Sequence, residues 1–311
     1  MTTVSNKKII IDGALGTELE NLIDSKVSYL PSKSPLWSGQ VLIDAPHFVE
    51  KVHQSYIESG SNLIITSTYQ LSYKSLQKHT KFNDDEIKNL WQKSIDVIYE
   101  AISKASSTNK FNKIQVAGSI GPYAAFSANG SEYTGDYGSI NILELQEFHK
   151  PLVEFFSINK GIDFLLFETI PNFLELKAVN EYMKESKIKD YVLSITCQSK
   201  DKLTDGTPLE EVKNYLDSNY DSKLLSINCV DYTLINNIIS QFPGYKFYIY
   251  PNLGFEYDSN LHQFKPKDYT GENTWKKFIE NLNKDERILG IGGCCNTGPK
   301  EIKQIYDIVN S

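Results

Sequence analysis

The chain has 311 residues, with 32 Lys and Arg against 39 Asp and Glu and a formal net charge of −7. Arg287 is its only arginine, so it lacks the basic footprint and the guanidinium groups on which nucleic-acid and phosphate recognition lean. No apolar run approaches the ~18 residues of a membrane span, and the polar stretch Met1 to Lys8 holds no signal-peptide core. A cytoplasmic protein with no nucleic-acid or membrane partner is expected. Four cysteines, Cys197, Cys229, Cys294 and Cys295, are too few for a disulfide scaffold and read as metal-binding, catalytic or buried thiols.

In chain order, short apolar runs alternate with helix-like stretches. The run Ile9 to Ile11 comes first. A helix is predicted from an Asp44 cap through Pro46 to Ser59, with Gly60 as its stop. Leu63 to Ile65 follows, then Asp84 to Ser103, where Ile87, Leu90, Trp91, Ile95 and Ile98 recur at helical spacing. The alternation continues with Ile114 to Ala117, helix Ile142 to Asn159, run Phe164 to Phe167 and helix Phe173 to Lys184. Next come run Tyr191 to Ile195, helix Pro208 to Leu216, run Leu224 to Ile227 and helix Thr233 to Ser240. Run Phe247 to Tyr250, helix Thr274 to Leu282, run Ile288 to Ile291 and helix Pro299 to Val309 complete the chain.

The eight runs are near-continuously apolar, the mark of parallel strands covered on both faces. Eight strand–helix units predict an α/β fold, a (β/α)8 TIM barrel, as a single domain over residues 1–311; a doubly wound open sheet is the alternative. Glu20 to Ile43 and Gly121 to Ile140 read as long loops shaping an active-site mouth.

Chemistry in such a barrel collects at the C-terminal strand ends. Here those ends read Asp12-Gly13, Thr66-Ser67-Thr68-Tyr69-Gln70, Gly118-Ser119-Ile120-Gly121-Pro122, Glu168-Thr169, Thr196-Cys197-Gln198, Asn228-Cys229, Pro251-Asn252 and Gly292-Gly293-Cys294-Cys295. Ordinary strand-to-loop chemistry accounts for one or two polar ends, whereas a site accounts for all eight. Cys229, Cys294 and Cys295 would face one mouth, provided the chain bends at the adjacent pair, where Gly292 and Gly293 allow it. Three thiolates without a histidine form a soft set that suits zinc with one open position. Buried small hydrophobes or a strained vicinal disulfide are the alternatives. Zinc over-neutralised by three thiolates is a poor Lewis acid, but it still deprotonates a bound thiol. Alkyl transfer to a substrate sulfur is therefore the natural reaction class. Asp12 and Glu168 follow apolar runs, where a carboxylate is costly unless paired. They read either as caps or salt-bridge partners, or as two anions for a substrate ammonium.

These motifs resemble the homocysteine S-methyltransferases. The resemblance rests on Ile11-Asp12-Gly13-Ala14-Leu15-Gly16-Thr17-Glu18-Leu19, Thr66-Ser67-Thr68-Tyr69-Gln70, Phe167-Glu168-Thr169-Ile170-Pro171, Ile227-Asn228-Cys229 and Gly292-Gly293-Cys294-Cys295, in order along almost the whole chain. It implies a (β/α)8 barrel with Zn2+ held by Cys229, Cys294 and Cys295, and with Asp12 and Glu168 on the amino group of L-homocysteine. Ala117 to Tyr123, Glu132 to Gly138 and Tyr250-Pro251-Asn252 resemble the branch that uses S-methylmethionine or S-adenosylmethionine. The chain departs from the usual pattern in having Ile227 before Asn228-Cys229, Asn296-Thr297 after the double cysteine, and Leu253 before Gly254.

The implied reaction is attack of the homocysteine thiolate on the methyl of a sulfonium, giving methionine. Aromatic faces suit a sulfonium cation, which makes Tyr69, Tyr133 and Tyr137 candidates; Gln70 and Asn252 are candidates for orienting amino-acid groups. His47, His53, His79, His149 and His262 read as packed or solvated. Two other classes compete: a phosphate-binding lyase, suggested by Gly290 to Gly293, and a zinc- or thiol-binding protein without turnover.

Overall fold

The computed structural model describes residues 7–105, 113–127, 130–258, 263–266 and 274–311. Eight strands form its sheet: Ile9–Ile10, Leu63–Ile65, Gln115–Ile120, Phe164–Ile170, Tyr191–Ile195, Leu224–Asp231, Lys246–Asn252 and Ile288–Ile291. Each pairs in parallel with its neighbours in chain order, and the last pairs with the first. The ring closes through a parallel bridge between Ile11 and Leu63. There the Asn62 N–H donates to the Ile10 carbonyl at 2.8 Å and the Asp12 N–H to the Leu63 carbonyl at 3.0 Å. Closure removes the open edges of a sheet, so the fold is the (β/α)8 barrel and not the open alternative.

All eight apolar runs are strands. Ile11, Leu63, Ala117, Leu166, Val192 and Tyr248 pack together inside the barrel. Ile10, Ile64, Val116, Leu165, Phe167 and Leu193 pack outward against the helices. Successive residues still alternate between faces, but both faces are apolar, so no polar alternation shows in the sequence.

The helices follow their sequence signals, with local differences. Pro46–Ser59 ends at Gly60, whose φ of 111° needs glycine's freedom. Its N-cap position is Ala45, not Asp44, which instead ends a separate helix, Ser38–Asp44. Asp84–Lys104 and Ile142–Ser157 start at capping boxes built from Asn83 with Glu86 and Asn141 with Glu144. Both stretches expected as loops contain short helices. The end of Leu15–Leu22, the short turn Pro31–Lys33 and most of Ser38–Asp44 lie in the first, and Tyr123–Ser127 and Ser131–Thr134 lie in the second. Elements this short hold too few residues for a helical period to emerge. A helix at Tyr73–His79 and two hairpins, Cys197–Ser199 with Lys202–Leu203 and Phe255–Asp258 with Gln263–Pro266, are further additions.

His53 and His149 are buried on their helices, while His262 lies outside the described residues. Among the described residues, no helix is long and apolar enough to cross a membrane.

Candidate active site

The C-terminal strand ends surround a cavity of about 380 Å³ that Asp12, Glu168, Cys229, Cys294 and Cys295 all line. Two local devices turn the thiols toward one point. On the sixth strand, Cys229 adopts φ 56°, and the pairing with the seventh strand shifts register between Asn228 and Asp231. This irregularity re-aims a side chain that regular alternation would direct elsewhere. On the eighth strand the chain passes tightly over the first. A Cβ on Gly292 would lie 2.6 Å from Ile11 Cβ and 2.8 Å from the Asp12 carbonyl oxygen. The backbone then turns, with the Thr297 N–H donating to the Cys294 carbonyl at 3.0 Å and Asn296 at φ 64°. This is the bend that two adjacent cysteines require to serve one site.

The three sulfurs lie 3.1 Å (Cys229–Cys294), 3.6 Å (Cys229–Cys295) and 3.9 Å (Cys294–Cys295) apart. They are the one group of three or more potential metal ligands among the described residues. Tetrahedral zinc with Zn–S bonds of ~2.3 Å spaces its sulfurs about 3.8 Å apart, so the donor set fits that ion. Without a cation the thiols titrate against one another. Hydrogen bonding to Cys229 and Cys295, then burial, raises Cys294 well above the ordinary thiol value. At Cys229 the Cys294 hydrogen bond lowers the thiol, but the Cys295 sulfur and burial outweigh it and hold it high. Cys295, receiving hydrogen bonds from both neighbours, is well below the ordinary value. Cys197 is buried in the cavity wall, and burial alone pushes its thiol up.

Asp12 and Glu168 are buried carboxylates. Asp12 Oδ2 accepts the Ile65 N–H at 2.9 Å, and Glu168 Oε1 accepts the Ser119 hydroxyl. Desolvation raises Asp12 well above the carboxylate range, and the nearby Glu168 adds to this. Desolvation likewise pushes Glu168 up to about 7, against the hydrogen bond from Ser119 and the nearby Tyr250 hydroxyl. No Lys, Arg or His is among the described residues lining the cavity. The described wall therefore gives this pair no cationic side-chain partner, and it offers no cationic side chain to a phosphate.

Tyr69, Gln70 and Tyr133 also line the cavity, whereas Tyr137 and Asn252 do not. The Tyr137 hydroxyl donates to Glu175 Oε2 at 2.5 Å, so it is spent on a buried carboxylate that also meets His149 Nε2 at 2.9 Å. Asn252 ends the seventh strand, and its Oδ1 accepts the Gly254 N–H at 3.1 Å across the following turn. Lining residues that the sequence did not single out as candidates include Trp37, Glu132 and Tyr250. Tyr250 carried a signal as the last residue of its apolar run. Glu132 carried one inside the branch-like Glu132 to Gly138 segment. Trp37 sits in a stretch with no periodicity, and only its position at the mouth gives it meaning.

The Homocysteine S-methyltransferase family model matches residues 9–309. The chain is 32% identical to Homocysteine S-methyltransferase 2 of Zea mays, the match covering 97% of this chain and 90% of that protein. It is 31% identical to Homocysteine S-methyltransferase 1 of Saccharomyces cerevisiae, over 98% and 94% of the two chains. Among solved structures, the metallated form of the homocysteine methyltransferase MmuM from Escherichia coli superposes with a TM-score of 0.78 at 28% identity, over 97% of this chain and 96% of that one. This chain belongs to the homocysteine S-methyltransferase family of enzymes.

Proposed function

We propose that the enzyme moves a methyl group from a sulfonium donor, S-methylmethionine or S-adenosylmethionine, to the sulfur of L-homocysteine, with zinc held by Cys229, Cys294 and Cys295. The observation that carries this reading is the meeting of three thiols and two buried, cation-free carboxylates in one cavity. The similarity to MmuM, which has been solved in a metallated form, supports the metal. When bound, zinc supplies the charge that keeps the homocysteine sulfur deprotonated, yet nucleophilic, near neutral pH.

The protein's own residues supply position. Asp12 and Glu168 take the homocysteine ammonium and so set how deep its thiol reaches. Asn228 holds the backbone around Cys229 through Ser194 and Thr169. Tyr69 and Tyr133 offer aromatic faces to the sulfonium, and Gln70 a polar group at the mouth. Tyr137 and Asn252 are left out of the substrate set, since their polar groups are taken up elsewhere.

In the transfer, the homocysteine thiol proton is released to solvent water as the thiolate forms. A sulfur lone pair makes the new S–CH3 bond, and the old C–S bond pair returns to the donor sulfur, which departs as a neutral thioether. No general acid is required, and none of the described lining residues is a His or Lys. With S-methylmethionine both products are methionine. Free thiols this close are suited to a reducing compartment, so the reading includes a cytoplasmic location; it also takes residues 1–311 as one barrel domain.

The test is methionine formation from homocysteine and each donor, with reductant and zinc present. Turnover that a chelator abolishes supports the reading. A folded, zinc-loaded protein that forms no methionine from either donor overturns it.

A further inference from the structure

We propose that Glu132 is the counter-charge for the sulfonium of the methyl donor, and so the residue that distinguishes the charged donor from its neutral thioether product. This rests on the sulfonium-donor reading above. The cavity holds three carboxylates, Asp12, Glu168 and Glu132, and no basic side chain among its described lining residues. Homocysteine brings one ammonium for the buried Asp12–Glu168 pair. The third carboxylate answers to a second cation.

Its position indicates which cation that is. Glu132 comes from the short helix Ser131–Thr134 and not from a strand end. Its Oε1 lies 3.5 Å from the Tyr69 hydroxyl. Asp12 and Glu168 stand at the ends of the first and fourth strands, where they accept from the Ile65 N–H and the Ser119 hydroxyl, whereas Glu132 reaches the same cavity as Cys229 and Cys295 from outside the strand layer. In-line transfer requires the donor sulfur beside the thiol cluster, with the methyl between donor and acceptor. Glu132 is the carboxylate that stands at Tyr69, one of the aromatic faces offered to the sulfonium.

The segment that carries Glu132 is fastened to the barrel. The Asn172 side-chain amide donates to the Gly135 carbonyl at 2.8 Å, and Tyr137 is anchored on Glu175. Gly135, at φ 65°, runs so close to Asp205 that a Cβ there would lie 2.5 Å from Asp205 Cβ. The carboxylate is thus held in place and does not swing in from a free loop.

The donor sulfur is cationic before transfer and neutral after it. Attraction to Glu132 therefore favours donor binding and vanishes in the product. Because the positive charge is already fading in the transition state, the interaction is weaker there than in the bound donor, and its removal should raise KM for the donor without lowering kcat.

The test uses the zinc-loaded enzyme and its Glu132→Gln and Glu132→Asp variants. Calorimetric titration gives Kd for S-methylmethionine, which carries ammonium and sulfonium, and for methionine, which carries only the ammonium. Steady-state kinetics gives KM for donor and acceptor separately. We expect E132Q to weaken S-methylmethionine by about tenfold or more while methionine and homocysteine move by less than about twofold. E132D, which keeps the charge, should retain most of the discrimination. Equal losses for S-methylmethionine and methionine would assign Glu132 to the ammonium and overturn the proposal, as would unchanged donor affinity in E132Q. Wild-type enzyme that binds neither sulfonium donor would bring down the donor reading itself, and this proposal with it.

Discussion

Thr169 and Asn228 exchange two hydrogen bonds although the fifth strand separates the strands that carry them. The Thr169 N–H donates to Asn228 Oδ1 at 2.9 Å, and Asn228 Nδ2 donates to Thr169 Oγ1 at 2.7 Å. The Ser194 hydroxyl, on the strand between, donates to the same Oδ1 at 2.6 Å. Thr169 and Cys229 each sit at φ 56°, a region that costs a non-glycine residue about 1–3 kcal/mol. One side chain thus ties three strands where two backbones leave their preferred conformation, and one of those backbones aims Cys229.

Replacing Asn228 by Asp keeps the acceptor, loses the donor and buries a charge. We expect it to lower stability by about 1–3 kcal/mol and to reduce zinc content at the same time. Metal analysis of purified protein, paired with chemical unfolding, checks this. Full zinc in a destabilised protein would mean that Asn228 supports the fold without setting the thiol geometry.

Cys229→Ser, Cys294→Ser and Cys295→Ser should each lose zinc and turnover together. The sulfurs are 3.1–3.9 Å apart, and none has a substitute ligand among the described residues. A variant that keeps its metal and its methionine formation would remove that cysteine from the ligand set.

Homocysteine affinity should depend on pH through Glu168. Burial lifts its carboxyl to about 7 in the ligand-free protein, so below that pH it is mostly protonated and holds an ammonium poorly. Kd for homocysteine should therefore rise as pH falls from 8 toward 6 by up to about tenfold per unit. In Glu168→Gln, affinity should be lower at every pH and the profile shallower over this range. An unchanged homocysteine KM in that variant would count against the assignment.

His53 should make the fold acid-sensitive. It is buried with both ring nitrogens unpartnered, and burial lowers it from 6.5 to about 4. The folded state therefore prefers the neutral ring. Stability is intact above the unfolded-state value and drains away as pH falls from 6.5 toward 4, by about 3 kcal/mol in all. Urea unfolding at pH 7.5 and 5 measures the slope, and His53→Leu should remove that share of it. An equal slope in the variant would place the sensitivity elsewhere.

The barrel was legible in the sequence because burial of a strand on both faces leaves a compositional trace. Eight runs such as Leu63–Ile65 and Ile288–Ile291 are apolar at nearly every buried position, with Ser194 and Ser226 as buried polar exceptions. The polar residues that end them, Asp12, Glu168, Cys229 and the Cys294-Cys295 pair, stand out against that background. Zinc-compatible chemistry could be read there from residue type and order alone. What the linear order could not contain is distance between residues far apart in the chain. Only closure of the first strand on the second and last brings Asp12 beside Glu168 and Cys229 beside Cys294. Only the fold shows that the Tyr137 hydroxyl is spent on Glu175, that Asn252 closes a turn, and that Glu132 enters the cavity from a short helix. Residue type and periodicity are local properties that water imposes one position at a time. Which polar groups satisfy each other, and which are left for a ligand, is settled by packing across the whole ring.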